Sequence, residues 1–222
     1  MSSMCRKILF SLIGVALLLG VASLPTVHIA RASDEKTKRV KTPRERLAER
    51  SFPNVTLTTH EGKKVRFYDD LIKDKIILIN FMYVKCDGIC PGTTANLLNV
   101  QKMLGDRVGR DIFMYSITLK PEEDTPKVLN RYAKAYKTKP GWLFLTGDPK
   151  DVELLRRSLG FIDRDPARDA NKSNHIGMLR FGNEPMTLWA GCPSLLGPGK
   201  IVKEIGLVDW PKAEETKRGG DR

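Results

Sequence analysis

The chain is apolar almost without a break from Ile8 to Leu24, carries charge at most positions from Asp34 to Arg50, and then settles into short apolar segments separated by polar turns until Trp210. Within that last region, Val55–Leu57 and Lys64–Phe67 flank His60-Glu61-Gly62 and predict a hairpin turned at the glycine. Ile76–Met82 is a continuous apolar run with a β-branched start, as expected of a strand buried on both faces. Pro91–Leu104 places Leu97, Val100 or Gln101, and Leu104 at helical spacing and stops at Gly105. The alternation repeats with a strand at Ile112–Ile117, a helix opening at Thr125-Pro126, a strand at Trp142–Leu145 and a helix from Asp148-Pro149 to Gly160. Both of these later helix starts set a capping oxygen before a proline, which satisfies one orphan N–H and removes another. Ile176–Phe181 and Met186–Ala190 then predict a second hairpin around Gly182-Asn183-Glu184-Pro185, and a short helix follows near Ile201–Ile205. Strands alternating with helices and ending in a hairpin predict an α/β layered domain with a mixed central sheet.

The N-terminal apolar run changes where this domain is expected to work. Residues 1–32 contain no Asp or Glu, start basic at Arg6-Lys7 and end in Ala30-Arg31-Ala32, the features of an export signal cleaved before Ser33 or kept as a membrane anchor. The rest of the chain is therefore expected outside the cytoplasm, in a bacterial periplasm or at the outer face of the inner membrane, with membrane association through this segment. Cys5 precedes the run and belongs to the targeting segment. Residues 33–50 read as a charged, solvated tether, 51–210 as the folded domain and 211–222 as a polar tail.

The whole chain has 222 residues and a formal net charge of +12. Without residues 1–32 it keeps 35 basic and 26 acidic side chains, a net +9. That excess fits an acidic docking partner, whereas nucleic-acid binding is set aside because no recognised motif or interleaving of basic and aromatic residues accompanies it. Four cysteines are too few for a disulfide scaffold, so cysteine chemistry is confined to one site.

That site is Cys86-Asp87-Gly88-Ile89-Cys90-Pro91, between the buried strand and its following helix. With Pro91 as the first helical residue, Cys90 is expected beside the N-cap, where unsatisfied N–H groups favour a thiolate. Side chains at i and i+4 of a regular helix stand about 5–6 Å apart at Cβ, too far for an unstrained disulfide, so the Asp87-Gly88 turn must bring the sulfurs together. Converged thiolates either oxidise to a disulfide or hold a soft metal ion, and a trigonal site for Cu(I) or Cu(II) needs one imidazole more. After export two histidines remain. His60 in its hairpin turn reads as a solvated surface residue. His175, after the polar loop Asp163–Asn174 and before a strand, is placed to reach a site at the sheet edge.

At this point the chain resembles the Sco/SenC family of thioredoxin-like copper proteins over about Phe52–Ile205. The resemblance rests on FMYVKCDGICPGTTANL, then PEEDTPKVLNRYAKAY at Pro121–Tyr136, WLFLTGDP at Trp142–Pro149, and His175 before a strand, in family order. It implies a thioredoxin-like fold with an added N-terminal hairpin and a C-terminal hairpin, and a copper site made by Cys86, Cys90 and His175. It also implies a metallochaperone role: copper delivery to, or reduction of the cysteines of, the binuclear copper site of a respiratory oxidase. The implied partners are the copper-accepting oxidase subunit and a thiol reductant or copper donor protein. The alternative is a thiol-disulfide oxidoreductase whose redox-active pair is Cys86 and Cys90 and for which copper is incidental.

The chain departs from the family pattern at Lys120, where an acidic residue is usual, at Asn174 before the histidine, and at Asp87 and Gly88 inside the loop. A peroxidase of this fold is set aside, because Tyr83-Val84-Lys85-Cys86 lacks the Thr-x-x-Cys loop that chemistry uses. Tyr83 is expected to shape a partner surface and Lys85 to stabilise a thiolate. Cys192, Met82, Met178 and Met186 are all expected to pack in the core.

Overall fold

The computed structural model describes residues 40–171 and 177–209, all within one compact unit. The expected signal or anchor, residue 33–39 of the tether, His175 and the polar tail lie outside the described residues. Among the described residues no helix is long and apolar enough to cross a membrane.

Seven strands form one mixed sheet in the order β2-β1-β5-β4-β3-β6-β7. The expected N-terminal hairpin is β1 (Thr56–Thr59) against β2 (Lys64–Arg66), with Gly62 at φ 85° in the turn, a backbone conformation that glycine adopts without strain. At the centre, β3 (Ile76–Met82), β4 (Ile112–Thr118) and β5 (Trp142–Gly147) run parallel. Their near-continuous apolar runs follow from burial on both faces. Three polar side chains cross this core and satisfy one another: Ser116 donates to Asn80 Oδ1 at 2.7 Å and accepts from Trp142 Nε1 at 2.9 Å.

The last hairpin, β6 (Met178–Asn183) and β7 (Leu188–Pro193), adds antiparallel to β3 and leaves β7 at the sheet edge. It differs from expectation at Met186. A turn over Glu184–Thr187, with Thr187 at φ 54°, delays β7 to Leu188, and Met186 is 42% exposed instead of packed in the core.

The helices sit where their caps begin them. Thr125 caps α3 (Pro126–Ala135) by accepting from Val128 N–H, and Asp148 caps α4 (Pro149–Ser158) by accepting from Lys150 N–H. Against the α2 helix (Ile89–Leu104) lies α6 (Pro198–Val208), which buries Ile201, Ile205 and Val208. The loop expected over Asp163–Asn174 is not wholly irregular, because Asp165 caps a short helix, α5 (Pro166–Ala170).

The solvated tether ends earlier than expected. Pro43–Ser51 forms a helix, α1, opened by a capping box in which Thr42 and Glu45 exchange side-chain-to-backbone bonds. Ala48 and the following Phe52 are buried, and Phe52 packs on Trp189 of β7 at 4.4 Å between ring centroids. Charge at most positions concealed this element, since one of those charges has a specific buried partner. Arg44 grips the Glu184 carboxylate through Nε at 2.7 Å and through Nη2, and Glu184 also accepts from Tyr68 Oη at 2.9 Å and Asp74 N–H at 2.8 Å. Replacing Arg44 by Ala is expected to lower stability by about 1–3 kcal/mol, because Glu184 stays buried with two donors left. An unchanged urea midpoint in that variant would show the helix to be loosely attached.

Candidate metal and thiol centre

Beyond Met82 the chain leaves β3 in a short loop, Tyr83–Gly88, that closes onto the start of α2. Gly88 is the N-cap and Ile89 the first helical residue, so α2 starts two residues before Pro91. This moves Cys90 into the first turn, where its side chain is buried, and puts Cys86 across the open helix end.

The electrostatics follow this displacement and reverse the expected roles. Burial pushes the Cys86 thiol up, but donation from the Cys90 thiol, from the Cys90 and Gly88 backbone N–H groups and from the Tyr83 hydroxyl outweighs it, and the net shift is down. Burial and the donation it makes to Cys86 push Cys90 up to about 12. Cys86 is the sulfur that the helix N-terminus stabilises as thiolate, and Cys90 is its proton-bearing neighbour. The sulfurs therefore converge within hydrogen-bonding reach, as the Asp87-Gly88 turn was expected to allow.

The thiolate contact expected of Lys85 falls to Tyr83 instead. Tyr83 is buried and its hydroxyl reaches Cys86, with Lys120 Nζ 4.4 Å above the ring centroid. Lys85 extends into solvent and pairs with Glu123 at 3.6 Å. A residue given no role from sequence holds this loop in place. Asp124 is buried and accepts from Val84 N–H at 3.0 Å and from the Thr118 hydroxyl at 2.5 Å, joining the cysteine loop to the end of β4. The signal for it was present in Asp124-Thr125-Pro126, where the caps assign Thr125 to the helix and leave the carboxylate unassigned.

Two further contacts bring the chain after residue 176 to the same place. At Gly177 an added Cβ would lie 2.1 Å from Ile89 Cδ1, so the backbone entering β6 runs directly against the residue between Gly88 and Cys90. Ser194 Oγ meets Thr93 Oγ1 at 2.8 Å, and Asn96 Nδ2 donates to the Ser194 and Leu196 carbonyls, which fastens the end of β7 to the first turns of α2. His175 is two residues from Gly177 in sequence and is itself outside the described residues. Among the described residues no group of three His, Cys, Asp or Glu side chains is placed to hold a metal ion.

The family model described as SCO1/SenC matches residues 44–181, more than half of the chain. This chain belongs to the SCO1/SenC family. A SCO1 protein homolog of Bacillus subtilis is 33% identical over 158 residues, covering 69% of this chain and 72% of that protein. In structure the chain is similar to BsSco, a member of the Sco family of cytochrome c oxidase assembly proteins with a disulfide switch, at TM-score 0.57 and 24% identity over 71% of this chain and 92% of that one. It is also similar to Bradyrhizobium japonicum ScoI with copper bound, at TM-score 0.56 and 21% identity over 69% and 96% of the two chains. These likenesses establish the thioredoxin-like fold with its added hairpins.

The remaining singled-out residues take structural places in this SCO1/SenC fold. His60 is half-buried, not solvated: its Nδ1 accepts from Phe144 N–H at 3.2 Å, its carbonyl accepts from Asn130, and burial lowers its pKa. Cys192 is buried in β7 opposite Leu179, and burial, reinforced by Glu204, pushes its thiol up to about 11. A protonated, inaccessible thiol suits packing.

Proposed function

We propose that this protein is an exported copper-binding assembly factor in which Cys86 and Cys90, joined by His175, hold Cu(I) or Cu(II). Its recipient is the copper-accepting subunit of a respiratory oxidase, to which it delivers copper or whose copper-binding cysteines it reduces. A thiol reductant or copper donor protein resets or loads it. The observation that carries this reading is the pair of converged sulfurs at the head of α2, a soft donor set suited to copper. Entry of β6 against Ile89 supports the imidazole, because a chain so placed at Gly177 starts beside the sulfurs. Named relatives with copper bound support the same choice of metal.

The experiment is a titration of the reduced protein with Cu(I) and Cu(II), beside Cys86→Ser, Cys90→Ser and His175→Ala. One copper per chain is expected. Either serine variant should lose the sulfur-to-copper charge-transfer absorption. His175→Ala should weaken binding by at least about 100-fold, since even groups that only orient a metal ligand are worth about 10–100-fold. A second reading, thiol-disulfide oxidoreduction without copper, is favoured by the split between a stabilised Cys86 thiolate and a protonated Cys90. It requires His175→Ala to retain full disulfide exchange, with any copper bound by the wild type incidental to that activity.

A further inference from the structure

The segment leading into Cys86 is held residue by residue from one side. Met82 and Thr118 form the last rung of the β3–β4 ladder, and from there the chain after β4 turns through Leu119–Asp124 before Thr125 caps α3. Each of the four residues before Cys86 meets this second loop. The Met82 carbonyl accepts from Leu119 N–H at 2.8 Å, the Tyr83 ring lies under Lys120 Nζ, Val84 N–H donates to Asp124 Oδ2 at 3.0 Å, and Lys85 pairs with Glu123 at 3.6 Å.

These contacts are unequal. The Lys85 side chain is 80% accessible, so solvent leaves its pair with Glu123 little strength. Asp124 is 2% accessible, and its Oδ2 also accepts from the Thr118 hydroxyl at 2.5 Å, which in turn accepts from Lys120 N–H at 3.0 Å. Glu123 N–H and Asp124 N–H both donate to the Lys120 carbonyl, at 3.0 and 2.9 Å, and brace the loop that carries the carboxylate. Asp124 is thus fixed on its own side before it takes the Val84 N–H, and a bond to a carboxylate is among the stronger ones. What it fixes bears on Tyr83, which lies between the bonds at Met82 and Val84 and serves both sulfurs. The Tyr83 N–H donates to Cys90 and the Tyr83 hydroxyl to Cys86. A shift of the backbone at Val84 moves these two donors together, because both belong to the residue before it.

We propose that Asp124 is a positioning residue for the sulfur pair, acting through Val84 and Tyr83 to keep Cys86 and Cys90 converged. This role rests on the two cysteines being the working pair, and it holds for copper binding and for thiol-disulfide exchange alike. Freedom gained by a loosened loop is present in the dithiol and lost in the disulfide or the copper complex, so loosening disfavours both.

The test compares Asp124→Ala, Asp124→Asn and Thr118→Val with wild type as full chains. One readout is the dithiol–disulfide equilibrium of Cys86 and Cys90 in dithiothreitol redox buffers, followed by mass spectrometry of their peptides; the other is the Cu(I) affinity of the reduced protein. In Asp124→Ala the equilibrium should move at least about tenfold toward the dithiol, a rise of about 30 mV in potential. Cu(I) binding should weaken about 10–100-fold, as for the loss of other groups that orient metal ligands. Asp124→Asn keeps an oxygen for Val84 N–H and should recover most of both. Thr118→Val leaves the carboxylate without its brace and should give a smaller shift in the same direction. Arg44→Ala loosens the chain beside the opposite end of β3, where Ile76 pairs with Asn183, and should move neither readout. A wild type that forms the disulfide and binds no copper would overturn the copper reading alone, and the redox equilibrium would then decide the role of Asp124. A wild-type equilibrium in Asp124→Ala and Thr118→Val, or a shift of equal size in Arg44→Ala, would overturn that role.

Discussion

Reduced protein treated with iodoacetamide at pH 7 is expected to lose Cys86 at least about 30 times faster than Cys90. A thiol held near 12 is about one part in 10⁵ thiolate at pH 7, while an ordinary thiol of pKa near 9 is about one part in 10². Cys86 lies below that ordinary value and Cys90 has been pushed up to about 12, so the thiolate populations differ by at least about 10³. The less basic thiolate is intrinsically the poorer nucleophile, and a Brønsted slope of about 0.4–0.5 takes back about one and a half decades. Exposure favours the same order, since Cys86 is 6% accessible and Cys90 1%. The direction with pH follows: Cys86 reactivity should rise to a plateau through a midpoint below the ordinary thiol value, while that of Cys90 should still be climbing at pH 11. In Tyr83→Phe the Cys86 plateau should move to higher pH, because one donor to the thiolate is lost. Mass spectrometry of the alkylated peptides gives both rates. Equal rates for the two cysteines, or the reverse order, would remove the assignment of Cys86 as the attacking sulfur.

The same helix end shows what could and could not be read from the letters. Period and punctuation sufficed for β3, β4 and β5, because a strand buried on both faces has to be apolar throughout, and for the starts of α3 and α4, where Thr-Pro and Asp-Pro write the cap into the sequence. Cys86 and Cys90 were legible as a converging pair for a similar reason, since a turn between two cysteines at that spacing has few outcomes. Which of them becomes the thiolate was not legible. It depends on a two-residue shift of the α2 start, and Pro91 marks a first helical turn without fixing which of its positions the proline occupies. Asp124, Gly177 and the Arg44–Glu184 pair were hidden by distance in sequence: 40 residues separate Asp124 from Val84 and 140 separate Arg44 from Glu184. No local pattern reports whom a charged side chain meets across the fold. The helix at Pro43–Ser51 was missed for this reason, because its burial depends on β7 and the Glu184 turn and not on its own mean polarity.

Arg156→Met is expected to be strongly destabilising, costing about 3–5 kcal/mol at pH 7. Arg156 is a buried cation whose five N–H donors are all used: two go to Glu153 at 2.9 and 2.8 Å, one to the Phe161 carbonyl at 2.7 Å and two to Asp169 at 2.6 and 2.7 Å. Its side chain is 5% accessible and that of Asp169 10%, so solvent screens the pair little. Methionine fills much of the stem's volume but strands the Asp169 carboxylate, which the Arg156 guanidinium, aided by Asp163 N–H, otherwise holds well below the usual carboxylate range. The sign of the pH dependence follows from that depression. The contribution of Asp169 is fully present above its unfolded pKa of about 3.9 and is lost as pH falls toward the folded value. The stability gap between wild type and variant should therefore be constant above about pH 5 and shrink below about pH 4. Arg156→Met/Asp169→Leu should recover part of the loss, since removing both members leaves no buried charge unpaired. Urea unfolding at pH 7 and pH 3.5 measures all of this, and a gap that widens in acid would refute it. The change also bears on function, because Asp169 lies in α5, just ahead of the stretch that carries His175. If the imidazole completes the copper site, freeing α5 should weaken copper binding in Arg156→Met while leaving the alkylation order of Cys86 and Cys90 untouched.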